Sequence, residues 1–172
     1  MPLPIAHSFL GASIVAALHP KPFRRFCFPL FAGVILANAA DFDFGFSVFF
    51  GLSGWHRGFT HSISFALLFT SILIIWFGWR DRLREALAYG LAYASHCILD
   101  FATTKEGHGV EILFPFTTER FGLRWFGLSE VPSRLPLIDI LTAIGLEILI
   151  FAPLFVIILW LKRIYKYQQA AP

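Results

Sequence analysis

Charge is what this sequence has least of. Only 15% of its 172 residues are Asp, Glu, Lys or Arg, whereas 57% are hydrophobic. A soluble domain is about a quarter charged and about half apolar, so this composition points to a lipid bilayer as solvent. The 14 Lys and Arg stand against 11 Asp and Glu, and they gather on no basic face, which argues against a nucleic-acid partner. Cysteine is scarce as well. Cys27 and Cys97 both fall in apolar runs, which speaks against a disulfide framework and casts them as small core residues. No Lys or Arg precedes the first apolar run, and His7 lies inside it, features at odds with a cleaved signal peptide. Internal repeats and low-complexity tracts are also missing, and the length suits one domain over residues 1–172.

What is present is a series of apolar runs. Residues 3–18 read as a helix ended by His19-Pro20, and residues 26–40 form a second segment, short for a crossing. The Phe- and Gly-rich stretch 44–54 suits a re-entrant or interfacial turn. Residues 62–78 and 86–102 are apolar runs of 17 residues each, at the lower end of a spanning length. A polar and aromatic connection covers residues 103–135. Residues 136–161 then give 26 mostly apolar positions, a helix of about 39 Å that starts clear of the hydrocarbon. The expected fold is therefore all-α and polytopic, with four to five transmembrane helices.

The bases set an orientation. With Lys162, Arg163 and Lys166 in the cytoplasm, five crossings put Arg80, Arg82, Arg84, Lys21, Arg24 and Arg25 there too. The opposite side keeps Arg57, Lys105, Arg120, Arg124 and Arg134, in keeping with the positive-inside bias. The same count brings His7, Asp41, Asp43, His56, His61, His96 and Asp100 to the outer ends of their helices. It depends on segment 26–40 crossing.

Those residues are the ones that carry chemistry, since polar side chains among Phe, Leu and Ile are costly unless something binds them. His96 and Asp100 lie four apart on one helix face, where an imidazole and a carboxylate can share one cation. Taken alone, the pair reads equally as a His–Asp hydrogen bond between packed helices. In Trp55-His56-Arg57-Gly58-Phe59-Thr60-His61-Ser62, Gly58 suggests a break and Thr60 an N-cap for the following helix. His56 then lies in the loop and His61 in the first turn, where the helix end disfavours a protonated ring. An aromatic interfacial loop with incidental histidines is the bland alternative. Arg57 keeps its proton at all working pH and suits a phosphate or oxyanion. Asp41 and Asp43 alone are helix-end carboxylates; beside histidines they become hard ligands next to borderline ones, which suits zinc or manganese. His7 by itself is a weak signal, His19 reads as a loop residue, and His108 is a possible extra ligand or substrate contact. Glu147 falls inside the last crossing, as a functional group or a protonated acid bonded to a neighbouring helix, and Asp139 reads as solvated.

His7, Ala40-Asp41-Phe42-Asp43, His56-Arg57-Gly58-Phe59-Thr60-His61-Ser62, His96-x3-Asp100 and Leu113-Phe114-Pro115-Phe116 together resemble the membrane-bound metal-dependent hydrolases, the family of the LexA-binding inner-membrane hydrolases. The likeness runs over roughly residues 5 to 160, and HRGxTHS is its specific part. The acidic motif of that family reads Pro-Asp-x-Asp; Ala40 stands in place of the Pro here and removes no ligand. A more distant likeness is to zinc-dependent phospholipase C and the related single-strand nucleases, which share the order His, Asp, His, His-x3-Asp. Their next His falls at Glu106 here, with His108 two residues on, a departure from a three-metal cluster. These resemblances imply a hydrolase with one or two ions, zinc first, acting on a lipid phosphoester at the outer face of an inner membrane. Asp41, His56, His96 and Asp100 would hold one ion, with Asp100 bridging to a second held partly by His7. Asp43 and His61 would be further ligands or supports, Asp43 and Arg57 being the candidate catalytic groups. The competing reading is a non-catalytic membrane protein that binds or carries metal.

Overall fold

The computed structural model describes residues 2–20, 27–51, 55–104, 109–123 and 137–170. Expectations that rest on Lys21, Arg24, Arg25, Lys105, Glu106, His108, Arg124 and Arg134 lie outside them. Six α-helices account for most of the described chain: α1 (Pro4–Leu18), α2 (Cys27–Asn38), α3 (Phe42–Phe50), α4 (Ile63–Gly78), α5 (Leu83–Thr103) and α6 (Leu137–Ala170). Among the described residues there are no strands beyond one antiparallel bridge, Val110 with Phe121.

Two segments are long and apolar enough to cross a membrane, Cys27–Phe50 and Leu137–Tyr165, while α1 and α4 are shorter apolar helices. Local chemistry explains where the helices start and stop. Pro4 opens α1, where its missing N–H is no loss. Ser62, not Thr60, caps α4 by accepting from the Phe65 N–H, because the chain first makes a 3₁₀ turn at Phe59–His61. The stretch expected as an irregular turn after residue 44 is instead helical α3, ended by Gly51 in the left-handed region (φ 64°). α5 starts earlier than expected, and α6 runs through Pro153 and the terminal bases.

Small residues set the packing. α1 crosses α2 at Gly11 and Gly33, where any Cβ on Gly11 would fall 2.4 Å from the Ala37 Cβ; backbones approach this way in lipid, where close contact drives helix association. Val15, Ala88, Tyr89 and Ala92 make one core cluster. A second, comprising Ala40, Ala66, Tyr93, Cys97, Val110 and Ile112, lies towards the other end. Both cysteines are free, but only Cys97 is buried; Cys27 is exposed, contrary to its expected core role.

α1 and α6 run parallel, and α6 grips both ends of α1. Glu147 accepts hydrogen bonds from the Leu3 and Ala6 N–H groups, and Lys162 donates to the Ala16 and His19 carbonyls at 2.6 Å each. An acid thus meets the positive end of the α1 dipole and a base its negative end. Glu147 is therefore bonded to a neighbouring helix. His19, the extended residue just past the end of α1, is buried, with Nε2 3.2 Å from Glu85 Oε2, and Arg82 holds Glu85 through Nε at 2.9 Å. These contacts tie the end of α1, the start of α5 and the Lys162 turn of α6 at one level.

Candidate metal centre

At the other end, four segments converge. α1 brings His7 in its first turn, and the 3₁₀ turn after α2 brings Asp41. α3 brings Asp43 as its one buried residue, the turn before α4 brings His61, and the last turns of α5 bring His96 and Asp100. His7, His61, His96 and Asp100 are completely buried.

Four of these side chains point at a common centre. His61 Nε2 and His96 Nε2 are 3.1 Å apart, and each is 3.4 Å from Asp41 Oδ1. Asp100 Oδ2 lies 3.6 Å from His61 Nε2 and 3.7 Å from His96 Nε2. Ligands about 2.0–2.2 Å from a zinc ion at the corners of a tetrahedron are about 3.3–3.6 Å from one another. These five separations are close to that spacing, all four atoms lie within 4.8 Å of one another, and Asp41, His61, His96 and Asp100 can hold one divalent ion. Asp41 Oδ1 and both Asp100 oxygens are buried without a hydrogen-bond donor in good geometry among the described residues, which is how ligand oxygens look before their cation is considered.

The rings are oriented from behind. His96 Nδ1 donates to the Ala37 carbonyl at 2.6 Å, which leaves the lone pair on Nε2, facing the centre. His61 Nδ1 is 3.1 Å from Thr60 Oγ1 and 3.4 Å from Asp43 Oδ2, and Thr60 donates to that same oxygen at 2.7 Å. Asp43 also accepts from the Arg57 N–H at 3.0 Å and pairs with His56 Nδ1 at 2.8 Å. Burial disfavours charge on His61, but Asp41 and Asp43 outweigh it and push its pKa up to about 9.

The grouping expected from sequence changes in one respect. His61, not His56, completes the set with Asp41, His96 and Asp100, because the 3₁₀ turn swings His61 inward while His56 stays half-buried on Asp43. His56, Asp43 and Asp41 form a second possible ligand group that shares Asp41. His7 Nε2 is 3.3 Å from Asp100 Oδ1, and its ring stacks on His96 at 3.9 Å. Asp100 therefore turns one oxygen to the four-atom set and the other to His7.

Sequence reasoning missed three contributors. Thr60 joins Asp43 to His61, the Ala37 carbonyl fixes His96, and Arg120 donates to the His56 carbonyl at 3.0 Å while lying 3.7 Å from Glu111. Thr60 had a signal, its place inside the His-x4-His stretch. The carbonyl and the loop residues had none, for no periodicity marks them. Arg57 adopts φ 63°, a left-handed conformation costly for a branched-out side chain and seen where function over-determines the backbone.

The comparisons with known proteins agree on the class. A family model described as YdjM inner membrane protein matches residues 1–170. The inner membrane protein YbcI of Escherichia coli (strain K12) is 37% identical over 144 residues, which cover 78% of this chain and 80% of that protein. No solved structure matches.

Proposed function

Starting from the chain's membership of the YdjM family of inner membrane proteins, we propose that it is a metal-dependent hydrolase that cleaves a phosphoester of a membrane lipid. In this reading α1, α2, α4, α5 and α6 all cross the membrane, and the centre faces its outer side. The observation that carries it is the convergence of His61 Nε2, His96 Nε2, Asp41 Oδ1 and Asp100 Oδ2, with His–His and His–carboxylate separations of 3.1–3.7 Å. Two imidazoles and two carboxylates are the donor set of a zinc site, and the fixed rings and donor-free oxygens behind it fit that ion.

Asp41, His61, His96 and Asp100 would hold a divalent ion, which would supply Lewis-acid activation of water and of a phosphoryl group. The chain does the rest. Asp43 holds His61 in register through Thr60 and fixes the Arg57 backbone, so it is a positioning residue. Arg57, whose N–H is held by Asp43, would supply a permanent positive charge for the charge that develops on phosphate. His7, on the second Asp100 oxygen, holds that carboxylate or shares a second ion with it. Grouping of the ionisable residues at one end supports a fixed site over a carrier, which needs such groups strung through the bilayer.

Elemental analysis of detergent-purified protein, followed by a panel of phospholipids and soluble phosphoesters, tests this reading. Stoichiometric transition metal with turnover that disappears in His96→Ala is the expected result. Full activity in that variant, or metal without turnover on the whole panel, ends the hydrolase reading; the latter leaves a static metal site.

A further inference from the structure

The polar end of the bundle provides a ruler for the depth of the centre. Lys162 on the His19 carbonyl, and Arg82 and His19 on Glu85, put the end of α1, the start of α5 and the Lys162 turn of α6 at one level. Charged groups sit at the edge of hydrocarbon rather than within it, so this level is assigned to one boundary. At 1.5 Å per residue, His7 stands about 18 Å above His19, His96 about 21 Å above Arg82 and Glu147 about 22 Å above Lys162, against a hydrocarbon thickness of about 30 Å. Even Asp100, the ligand furthest along α5, reaches only about 27 Å. Helix tilt shortens each of these heights, so it moves the centre deeper.

The surroundings of the centre agree. Phe42, Phe44, Phe46, Phe49 and Phe50 of α3 are 57–87% exposed, while the one buried residue of that helix is Asp43. This inverts the pattern of a helix in water, and a helix apolar nearly all round belongs in hydrocarbon. At the start of α6, Leu137, Ile138 and Leu141 are 54–70% exposed, beyond the level of Glu147.

We propose that the metal centre lies several ångströms beneath the hydrocarbon boundary of the site-side leaflet, with α3 embedded in that leaflet's acyl chains as the wall through which a ligand arrives sideways. A second copy of the chain would cover the stripe of Phe42, Phe46, Phe49 and Phe50, whereas Phe44 and Val48 leave the other side of α3 apolar and exposed as well, as fluid chains require. For a lipid phosphoester, which rests on the function proposed above, the headgroup is drawn down from the boundary to the centre.

Nitroxide depth measurement in phospholipid nanodiscs tests this. Labels are placed one at a time at Phe49→Cys, Asp139→Cys and Glu119→Cys in a Cys27→Ser background, and relaxation by oxygen is compared with relaxation by an aqueous nickel chelate. The expected result is a Phe49 label favouring oxygen over nickel several-fold more than the Glu119 label, with Asp139 between them. A Phe49 label as open to nickel as Glu119 overturns the proposal. So does a Phe49 signal that sharpens when labelled protein is diluted with unlabelled, since a second copy then covers α3. Neither readout uses turnover: failure here leaves a hydrolase with an aqueous mouth, and failure of the phosphoester panel leaves the depth unchanged.

Discussion

The Nε2 atoms of His61 and His96 stand 3.1 Å apart although the residues are 35 positions apart in the chain. Two ring nitrogens approach so closely only when one proton or one cation sits between them. His96 has committed its other nitrogen to the Ala37 carbonyl, so its Nε2 is an acceptor. His61 either donates to it or shares a metal with it, and Asp41 and Asp100 stand ready to balance either positive charge. Proton and metal therefore compete for one place.

That competition has a sign. His61 must lose a proton to bind a cation, and its pKa in the metal-free protein is about 9. Below that value apparent zinc affinity should fall about tenfold per pH unit, measured by chelator competition at pH 6.5, 7.5 and 8.5. In the metal-free protein the linkage runs oppositely. The folded pKa lies above the ordinary 6.5, so the stability from this pair is full below pH 6.5 and is lost as pH rises through about 9. A zinc affinity flat across this range would contradict the proton assignment.

Asp43 should behave as a support rather than a ligand of the four-atom set. Asp43→Ala removes the acceptor for Thr60, the Arg57 N–H and His56. Loss of such an outer partner costs about 10- to 100-fold in metal affinity. Thr60→Val should give a smaller loss in the same direction, with helix content by circular dichroism unchanged in both. Removing the site entirely, as His96→Ala should, would instead mark Asp43 as a primary ligand.

Much of this was legible in the residues. The helical class, the apolar runs and six of the ligand candidates stood out because polar groups in an oily sequence are conspicuous. The partition of His56 and His61 did not, because it depends on a 3₁₀ turn and a cap shifted from Thr60 to Ser62, differences of about one kcal/mol that tertiary contacts decide. The burial of His19 was hidden for a related reason. Its Pro20 neighbour signals a loop, and nothing local reveals that Glu85, from a helix far along the chain, buries it.

Ala37 couples packing to the site. Its Cβ meets Gly11 where α1 crosses α2, and its carbonyl holds His96. A Cβ on Gly11 would lie 2.4 Å from the Ala37 Cβ and 2.5 Å from the Gly33 carbonyl oxygen, and backbone cannot yield as a flexible side chain does. Gly11→Ala should destabilise the protein by about 1–3 kcal/mol and weaken zinc binding, although Gly11 touches no ligand. Unchanged zinc affinity in a destabilised variant would separate the helix crossing from the site.

The grip of α6 on α1 gives the last expectation. Glu147 satisfies two N–H groups at the start of α1, and Lys162 satisfies carbonyls at its end. Leaving a buried donor or acceptor unpaired costs about 1–3 kcal/mol, so Glu147→Leu and Lys162→Met should each lower unfolding stability in detergent by about that much. Their effects on metal should differ. Glu147 steadies the turn that carries His7, whose Nε2 is 3.3 Å from Asp100, whereas Lys162 acts at the far end of the same helix. Glu147→Leu should therefore weaken zinc binding as well as stability, and Lys162→Met should lower stability alone. Equal losses of zinc affinity in both variants would mean that α1 moves as one rigid rod and that the two grips act on the centre together.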